Sequence, residues 1–260
     1  MSQADRPHWQ LPPGVCGGTW DYVRSDHIAE EYDDYFAGHP LFSFDESILD
    51  GLITTPGVIA DLGCGTGRAI VPLARRGFPC LAIDLSAAML RVVQAKARQE
   101  GLPISCIQAN LVQLDPLRDD CVDYAICLFS TIGMIHGREH RLAMLRHVRR
   151  IVRPGGTFIL HVHNFWNGLW DANGRSRLVR HLISLPWRRG VERGDKYYRY
   201  RGLPNMYLHT FTRGEIRRLL RSAGFQIQRM IPLQVGVMNE LPRPWLLGRF
   251  RANGWVIVCR

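Results

Sequence analysis

The sequence predicts an α/β fold, in which a doubly wound sheet carries helices on both faces. Short apolar runs alternate along the chain with longer segments of helical periodicity. The run at residues 58–62 ends beside a glycine-rich turn, and the next run ends in a carboxylate. Because parallel strands end at one edge of such a sheet, we expect these ends to lie close together and to form a ligand site.

The first predicted strand and its turn read VIADLGCGTGRA, at residues 58–69. After Asp61, glycines stand at every second position, at Gly63, Gly65 and Gly67. Glycine allows a tight turn and lets a ligand approach the backbone closely. The spacing differs from the G-x-G-x-x-G of dinucleotide sites, although a turn of this kind without any ligand is the structural alternative.

The next three strands bring polar or aromatic residues to the same edge. The second strand, in LAIDLSAAML at residues 81–90, ends at Asp84 and precedes a helix that Ser86 can cap. Asp84 is placed either to accept hydrogen bonds from a ribose or to stabilise the start of that helix. The third strand, residues 104–111, ends near Asn110, and the fourth starts at Val122 and leads to Phe129.

The rest of the chain continues the alternation. Residues 138–152 predict a helix with apolar residues on one face and arginines on the other, stopping at Pro154. The turn R-P-G-G at residues 153–156 precedes a fifth strand, TFILHVHN, at residues 157–164. Thr212 and Glu215 form a capping box for the last long helix, and two further strands follow it.

The pattern D-x-G-x-G-x-G, the acid at Asp84 and the R-P-G-G turn together resemble the class I S-adenosylmethionine-dependent methyltransferases. The resemblance implies a Rossmann-like sheet of seven strands, mostly parallel with an antiparallel last strand, plus an inserted lid. It implies S-adenosyl-L-methionine as the cofactor. The implied cofactor-binding residues are Asp61, Gly63, Cys64, Gly65, Thr66, Gly67, Asp84, Leu85, Asn110, Leu111 and Phe129, with Tyr32 of the N-terminal arm as a lid residue.

By this resemblance Asp61 holds the ammonium group of the cofactor and Asp84 its ribose. Asn110 stands where many members carry an aspartate facing the adenine amino group. Its side-chain oxygen can still accept a hydrogen bond from that group, and the Leu111 N–H can donate one to the ring. Phe129 either packs on the adenine or belongs to the core. Cys64 is given no catalytic role.

We expect one domain with four segments. These are an N-terminal helical arm (1–56) that covers the cofactor site, the cofactor-binding core (57–164), a basic and aromatic insertion that forms a substrate lid (165–211), and the C-terminal helix and strands (212–260). Residues 101–260 hold 25 Lys or Arg against 10 Asp or Glu, while residues 1–100 hold 8 against 13. The excess of arginine indicates either an anionic partner or a compositional bias.

The insertion interleaves basic residues with aromatic rings, which suits a phosphate-bearing or planar substrate or the core of a small lid. Its basic residues are Arg175, Arg177, Arg180, Arg188, Arg189, Arg193, Lys196, Arg199 and Arg201, and its rings include Trp166, Trp170, Trp187, Tyr197, Tyr198, Tyr200 and Tyr207. No apolar run has the roughly 18 residues of a membrane helix. We therefore expect a cytoplasmic protein with no membrane partner. No grouping has metal-ligand spacing, so no metal is expected.

For the reaction we expect a methyltransferase that acts on an N or O atom of a small molecule, with an anionic acceptor as one version. His163 and Asn164, at the end of the fifth strand, are the residues expected to contact the substrate. A tRNA wobble-uridine methyltransferase is the alternative, because Tyr207, His209 and Phe211 match part of the R-Y-Y-H-x-F segment of that family. A non-catalytic cofactor-binding scaffold is a more remote alternative, and the oligomeric state is left open.

Overall fold

The computed structural model describes residues 10–38, 40–170, 172–184, 190–236 and 239–260. The helices are α1 (Gly17–Val23), α2 (Asp26–Glu30), α3 (Tyr32–Tyr35), α4 (Pro40–Leu52), α5 (Ile70–Arg75), α6 (Ala87–Glu100), α7 (Arg138–Ile151), α8 (Ala172–Ser184), α9 (Arg213–Ser222) and α10 (Gly248–Arg251). The strands are β1 (Ile59–Leu62), β2 (Cys80–Asp84), β3 (Ile104–Gln108), β4 (Val122–Cys127), β5 (Val152–His163), β6 (Asp195–Tyr200), β7 (Leu203–His209), β8 (Ile227–Pro232) and β9 (Gly254–Cys259).

Seven strands form one sheet in the order β3-β2-β1-β4-β5-β9-β8. Strands β1 to β5 pair in parallel, and β9 runs antiparallel to both of its neighbours. The predicted α/β class with an antiparallel last strand is confirmed. Buried apolar clusters cover both faces, one packed under α7 and α9 and the other under α4 and α5. The carboxyl ends of β1, β2, β4 and β5 therefore meet at one edge.

Two local predictions at capping positions are confirmed. The Ser86 side chain accepts a hydrogen bond from the Met89 N–H, and Thr212 with Glu215 forms the full capping box of α9. The helix predicted to run to Pro154 is shorter. It ends at Ile151 because Val152 already pairs with Val122, so that β5 includes the R-P-G-G turn.

The arginine face of α7 also departs from its prediction. Arg141 is completely buried, and the loop that precedes β6, within the inserted segment, brings Glu192 to its guanidinium. Amphipathic patterning assigns an arginine to the solvent side, whereas a buried arginine needs a carboxylate partner. Residues far along the chain provide that partner.

The segment between β5 and α9 forms a 3-10 turn (Phe165–Trp170), helix α8 and the antiparallel hairpin β6-β7. The hairpin packs on the N-terminal arm so closely that a Cβ on Gly18 would lie 1.8 Å from the Asn205 carbonyl oxygen. Arg201 at the hairpin turn donates to the Ile28 carbonyl and pairs with Glu31. Arm and hairpin thus contact each other.

Within the described ranges, no helix combines the length and the apolar character needed to cross a lipid bilayer.

Candidate functional site

A pocket at the carboxyl edge of the sheet brings together most of the residues predicted to bind the cofactor. Its lining includes Tyr32, Asp61, Gly63, Cys64, Gly65, Asp84, Leu85, Asn110, Leu111 and Phe129, together with His163. Thr66, Gly67 and Asn164 do not line it. The pocket also receives side chains from the hairpin, which the sequence did not assign individually.

The three glycines of the turn have different roles. All three have positive φ, at 77° for Gly63, 54° for Gly65 and 87° for Gly67. A Cβ on Gly63 would lie 2.3 Å from the Thr131 side chain, and one on Gly67 would lie 3.0 Å from Val71, whereas one on Gly65 would meet nothing within 4 Å. Gly63 and Gly67 are needed for packing, and Gly65 leaves open the space that a ligand would use.

Asp84 is held by the turn that it faces. Its carboxylate accepts hydrogen bonds from the backbone N–H of Gly65 at 2.9 Å and of Ser86 at 2.8 Å. Burial raises the pKa of this carboxyl, and the backbone hydrogen bonds oppose that rise. A carboxylate has about four acceptor positions. The backbone donors do not use all of them, so the carboxylate can also accept a hydrogen bond from a ribose hydroxyl.

Asp61 is a buried carboxyl at the end of β1 and lines the pocket. Burial raises the pKa of Asp61 to about 7, and the charge of the nearby Arg68 limits that rise. Arg68 itself forms an ion pair with the buried Asp45 at 2.9 Å. A cationic ligand would favour the ionised form of Asp61. This position thus fits the ammonium group of S-adenosylmethionine.

At the end of the pocket where the adenine is expected, the Asn110 side chain already forms hydrogen bonds within the protein. The Asn110 amide donates to the Pro13 carbonyl, and its oxygen accepts from the Val112 N–H at 3.1 Å. Phe129 has a positive φ of 53° and lies edge-on to Phe36. The side chain of Asn110 thus ties the N-terminal arm to this end of the pocket.

The arm is also tied to the glycine turn. The Thr66 hydroxyl donates to Asp33 at 2.6 Å, and Lys96 bridges the same carboxylate and the Thr66 carbonyl. Tyr32, next to Asp33, lines the pocket, and burial raises its pKa to about 12. Thr66, expected to contact the cofactor, instead holds the arm through its side chain.

The other half of the pocket is aromatic and apolar. Its lining side chains come from the hairpin and from the segment after β4: Tyr198, Tyr200, Met206, Leu208, Leu128 and Met134. His163 lies at this half, and burial, assisted by the charge of Lys196, lowers its pKa to about 4. Its imidazole is therefore neutral near pH 7 and can accept a proton or a hydrogen bond.

Asn164 does not belong to the pocket, which corrects the expectation of substrate contact. Its side chain is completely buried and donates to the carbonyls of Arg249 and Ala252. The alternation of a strand directs neighbouring residues to opposite sides, so only His163 of the pair can face the site. Cys64 has a pKa raised strongly by burial, which suits a residue without a nucleophilic role.

A buried ion-pair network lies behind the hairpin. His209 contacts Asp195 through Nδ1 and Glu215 through Nε2, both at 2.8 Å, and Arg141 pairs with Glu192. Burial alone would lower the pKa of His209, but its two carboxylate partners raise it. Glu192, His209 and Glu215 are close enough to resemble a metal site. Since both ring nitrogens already have partners and a guanidinium supplies positive charge, we interpret the cluster as an ion-pair network.

The residues on which the tRNA methyltransferase alternative rests lie in or beside this network. Tyr207, His209 and Phe211 are completely buried, and the Tyr207 hydroxyl donates to Asp195 at 2.7 Å. They fasten the hairpin to the core and cannot contact an RNA. Trp187, Arg188 and Arg189 of the predicted insertion lie outside the described residues.

The chain resembles known methyltransferases in sequence and in fold. Residues 59–156 match the family model of a methyltransferase domain. The ubiquinone biosynthesis O-methyltransferase of Rickettsia conorii is 30% identical over 106 residues, which cover 41% of this chain and 35% of that protein. The chain spans between 35% and 42% of the length of several curated relatives that it matches.

Two solved structures share the fold. A SAM-dependent methyltransferase from Methanosarcina mazei has a TM-score of 0.63 and 23% identity, covering 82% of this chain and 95% of its own. The 1,6-didemethyltoxoflavin-N1-methyltransferase of Burkholderia thailandensis, with bound 1,6-didemethyltoxoflavin and S-adenosylhomocysteine, has a TM-score of 0.61 and 18% identity, covering 96% and 92%.

The sheet, the glycine turn and the strand-end acids define a class I methyltransferase fold. Residues 59–156 match a methyltransferase domain, and the sheet has the fold of solved S-adenosylmethionine-dependent methyltransferases, one of them with bound S-adenosylhomocysteine.

Proposed function

We propose that the chain transfers a methyl group from S-adenosylmethionine to an N or O atom of a small molecule. One observation supports this most directly. A single pocket is lined by most of the predicted cofactor residues, by aromatic and apolar side chains, and by His163. S-adenosylmethionine supplies a methyl group bonded to a positively charged sulfur.

In this proposal the cofactor half works through charge and backbone shape. Asp61 pairs with the ammonium group, and Asp84 accepts hydrogen bonds from the ribose while the Gly65 backbone lies against the ligand. Leu111 contributes its backbone N–H to the adenine, and Phe129 packs near the ring. Holding both reactants in line can supply roughly 7–11 kcal/mol of the barrier reduction in ideal cases.

The acceptor we propose is small and flat. Tyr198 and Tyr200 present rings to the pocket, whereas Arg175 and Arg180 of the same inserted segment are exposed and do not line it. The Burkholderia relative, an N1-methyltransferase with a bound small molecule, supports an acceptor of this size. The charge of Lys196 acts on His163 and favours an acceptor that is anionic or becomes so on losing a proton.

His163 has the role of proton acceptor. When the methyl group bonds to a hydroxyl oxygen or to the nitrogen of a ring or amide N–H, and its bond to sulfur breaks, the proton on that atom must leave. A neutral imidazole at the pocket wall can take it. Because a pKa of about 4 makes His163 a weak base, its contribution lies near the lower end of the about 10²- to 10⁴-fold range of general bases. We therefore expect His163→Ala to lower kcat with little change in the affinity for S-adenosylhomocysteine. Its activity-pH profile should also change on the acid side.

The test combines binding with transfer. Calorimetry with S-adenosylhomocysteine tests the cofactor half, and failure to bind at millimolar ligand would refute the proposal. Methyl-labelled S-adenosylmethionine is then incubated with separate metabolite and tRNA fractions. Label in small molecules supports the proposal, and label in tRNA alone identifies the alternative substrate. Binding without label transfer to any fraction identifies a scaffold.

A further inference from the structure

An exposed apolar turn precedes α10 and has no role in the proposed reaction. Its side chains are exposed by 79% at Trp245, 48% at Leu246 and 59% at Leu247. Large apolar side chains seldom lie side by side in water on a folded chain. Adjacent exposed side chains of this kind are typical of a surface that binds a partner.

The turn has a defined shape. Arg243 and Leu247 both have φ of 50°, a conformation that is uncommon for residues other than glycine. The guanidinium of Arg251 donates to the carbonyls of Pro242, Arg243 and Leu246, at 3.3, 3.2 and 3.0 Å. Strained backbone persists where the surrounding structure holds it and is frequent at binding sites. Arg251 thus holds the three apolar side chains in an exposed position.

Neighbouring elements extend the apolar surface. Trp170 is 57% exposed and donates through its indole N–H to the Phe250 carbonyl at 2.7 Å, which joins its 3-10 turn to α10. Helix α8, which packs on that 3-10 turn, exposes Val179 and Ile183.

The charge of this surface has one sign. From residue 242 to residue 260 the chain has four arginines and no acidic residue, and the sequence of α8 has three arginines and no acidic residue. Arg243 and Arg249 are exposed next to the apolar turn. A second copy docking here would bring the same cations together. An anionic surface is therefore the complementary partner.

We propose that this surface, comprising residues 242–251, Trp170 and the exposed side of α8, docks on an anionic phospholipid bilayer. Trp245, Leu246 and Leu247 enter the interfacial region, where tryptophan is favoured, and the arginines contact lipid phosphates. Adsorption of this kind needs no membrane-spanning helix. This proposal departs from the expectation, made from the sequence, that the protein has no membrane partner. It does not depend on the proposed methyl transfer.

The experiment is co-sedimentation of the full chain with vesicles of phosphatidylcholine, alone or with 30% phosphatidylglycerol. We expect the partition coefficient to be at least about tenfold higher on the anionic vesicles at low salt, and to fall at high salt. The double variant W245S/L246S should lose at least about tenfold on the anionic vesicles. Tyr197→Ser, which removes a ring that is 50% exposed on the hairpin, is the matched control and should stay within about twofold.

Three results would overturn the proposal. The first is equal partition on neutral and anionic vesicles, or none on either. The second is binding by W245S/L246S that equals that of the original chain. The third is a dimer in light scattering that W245S/L246S converts to a monomer, which assigns the surface to a second copy. Melting temperature and S-adenosylhomocysteine affinity of the double variant verify that its fold is intact.

Discussion

Replacing Gly65 with alanine separates ligand binding from folding. The added Cβ would meet no atom within 4 Å, so the folded chain has room for it. The remaining cost is the positive φ of 54°, which disfavours an L-residue by about 1–2 kcal/mol. For a chain of this size each kcal/mol lowers the melting temperature by roughly 2–4 °C. We therefore expect a small loss of stability.

The expected effect on the cofactor is larger. Gly65 lines the pocket, and its N–H contacts Asp84, so the new methyl group would occupy space between ligand and backbone. We expect the Kd for S-adenosylhomocysteine to rise at least about tenfold, which corresponds to about 1.4 kcal/mol. Calorimetry and thermal melting on the same samples measure both quantities.

Gly77→Ala is the matched control. Gly77 also has a positive φ, 89°, and a Cβ there would meet nothing within 4 Å. It lies after α5 and does not line the pocket. We expect a similar decrease in melting temperature with unchanged affinity. If Gly65→Ala binds S-adenosylhomocysteine as tightly as the original chain, the proposed position of the cofactor against Gly65 is wrong.

Three other predictions concern neighbouring contacts. Gly63→Ala should lose more stability to urea than Gly65→Ala, because its Cβ would lie 2.3 Å from Thr131; an equal loss would contradict this. Asp33→Asn should weaken S-adenosylhomocysteine binding in calorimetry while changing stability by less than about 1 kcal/mol, because its ion pair is partly exposed; unchanged affinity would exclude a role for the arm. The two carboxylates beside His209 raise its pKa, so its stabilisation is complete below about pH 6.5 and is lost as pH rises through the raised pKa. Urea midpoints should show this alkaline decline, and His209→Gln should remove it.

The sequence was sufficient to predict the sheet and the strand ends and glycine turn that line the pocket. Asp61 lies at the end of β1, Gly63 and Gly65 lie in the turn after it, and Asp84 ends the next strand along the chain. Parallel strands necessarily bring such ends to one edge, so spacing along the chain predicts proximity in space. The capping residues Ser86 and Thr212 were predictable for the same reason, because their partners are three residues away.

The acceptor half depended on contacts between distant segments. Tyr198 and Met206 reach the pocket only because the hairpin packs on the arm at Gly18. The patterning of α7 could not reveal that Arg141 is buried, since its partner Glu192 is 51 residues further along the chain. Likewise, the fold directs Asn164 under α10, although its position at the end of β5 suggested the site.

The sequence by itself determined the fold class and the position of the cofactor turn, because strand patterning and glycine spacing are local properties of the chain. Only the tertiary structure decided which residues surround the acceptor and which charges are buried. It also decided that Trp245, Leu246 and Leu247 are left exposed on a turn held by Arg251. Burial results from how separate segments pack together, and a residue's own neighbours in sequence do not specify it.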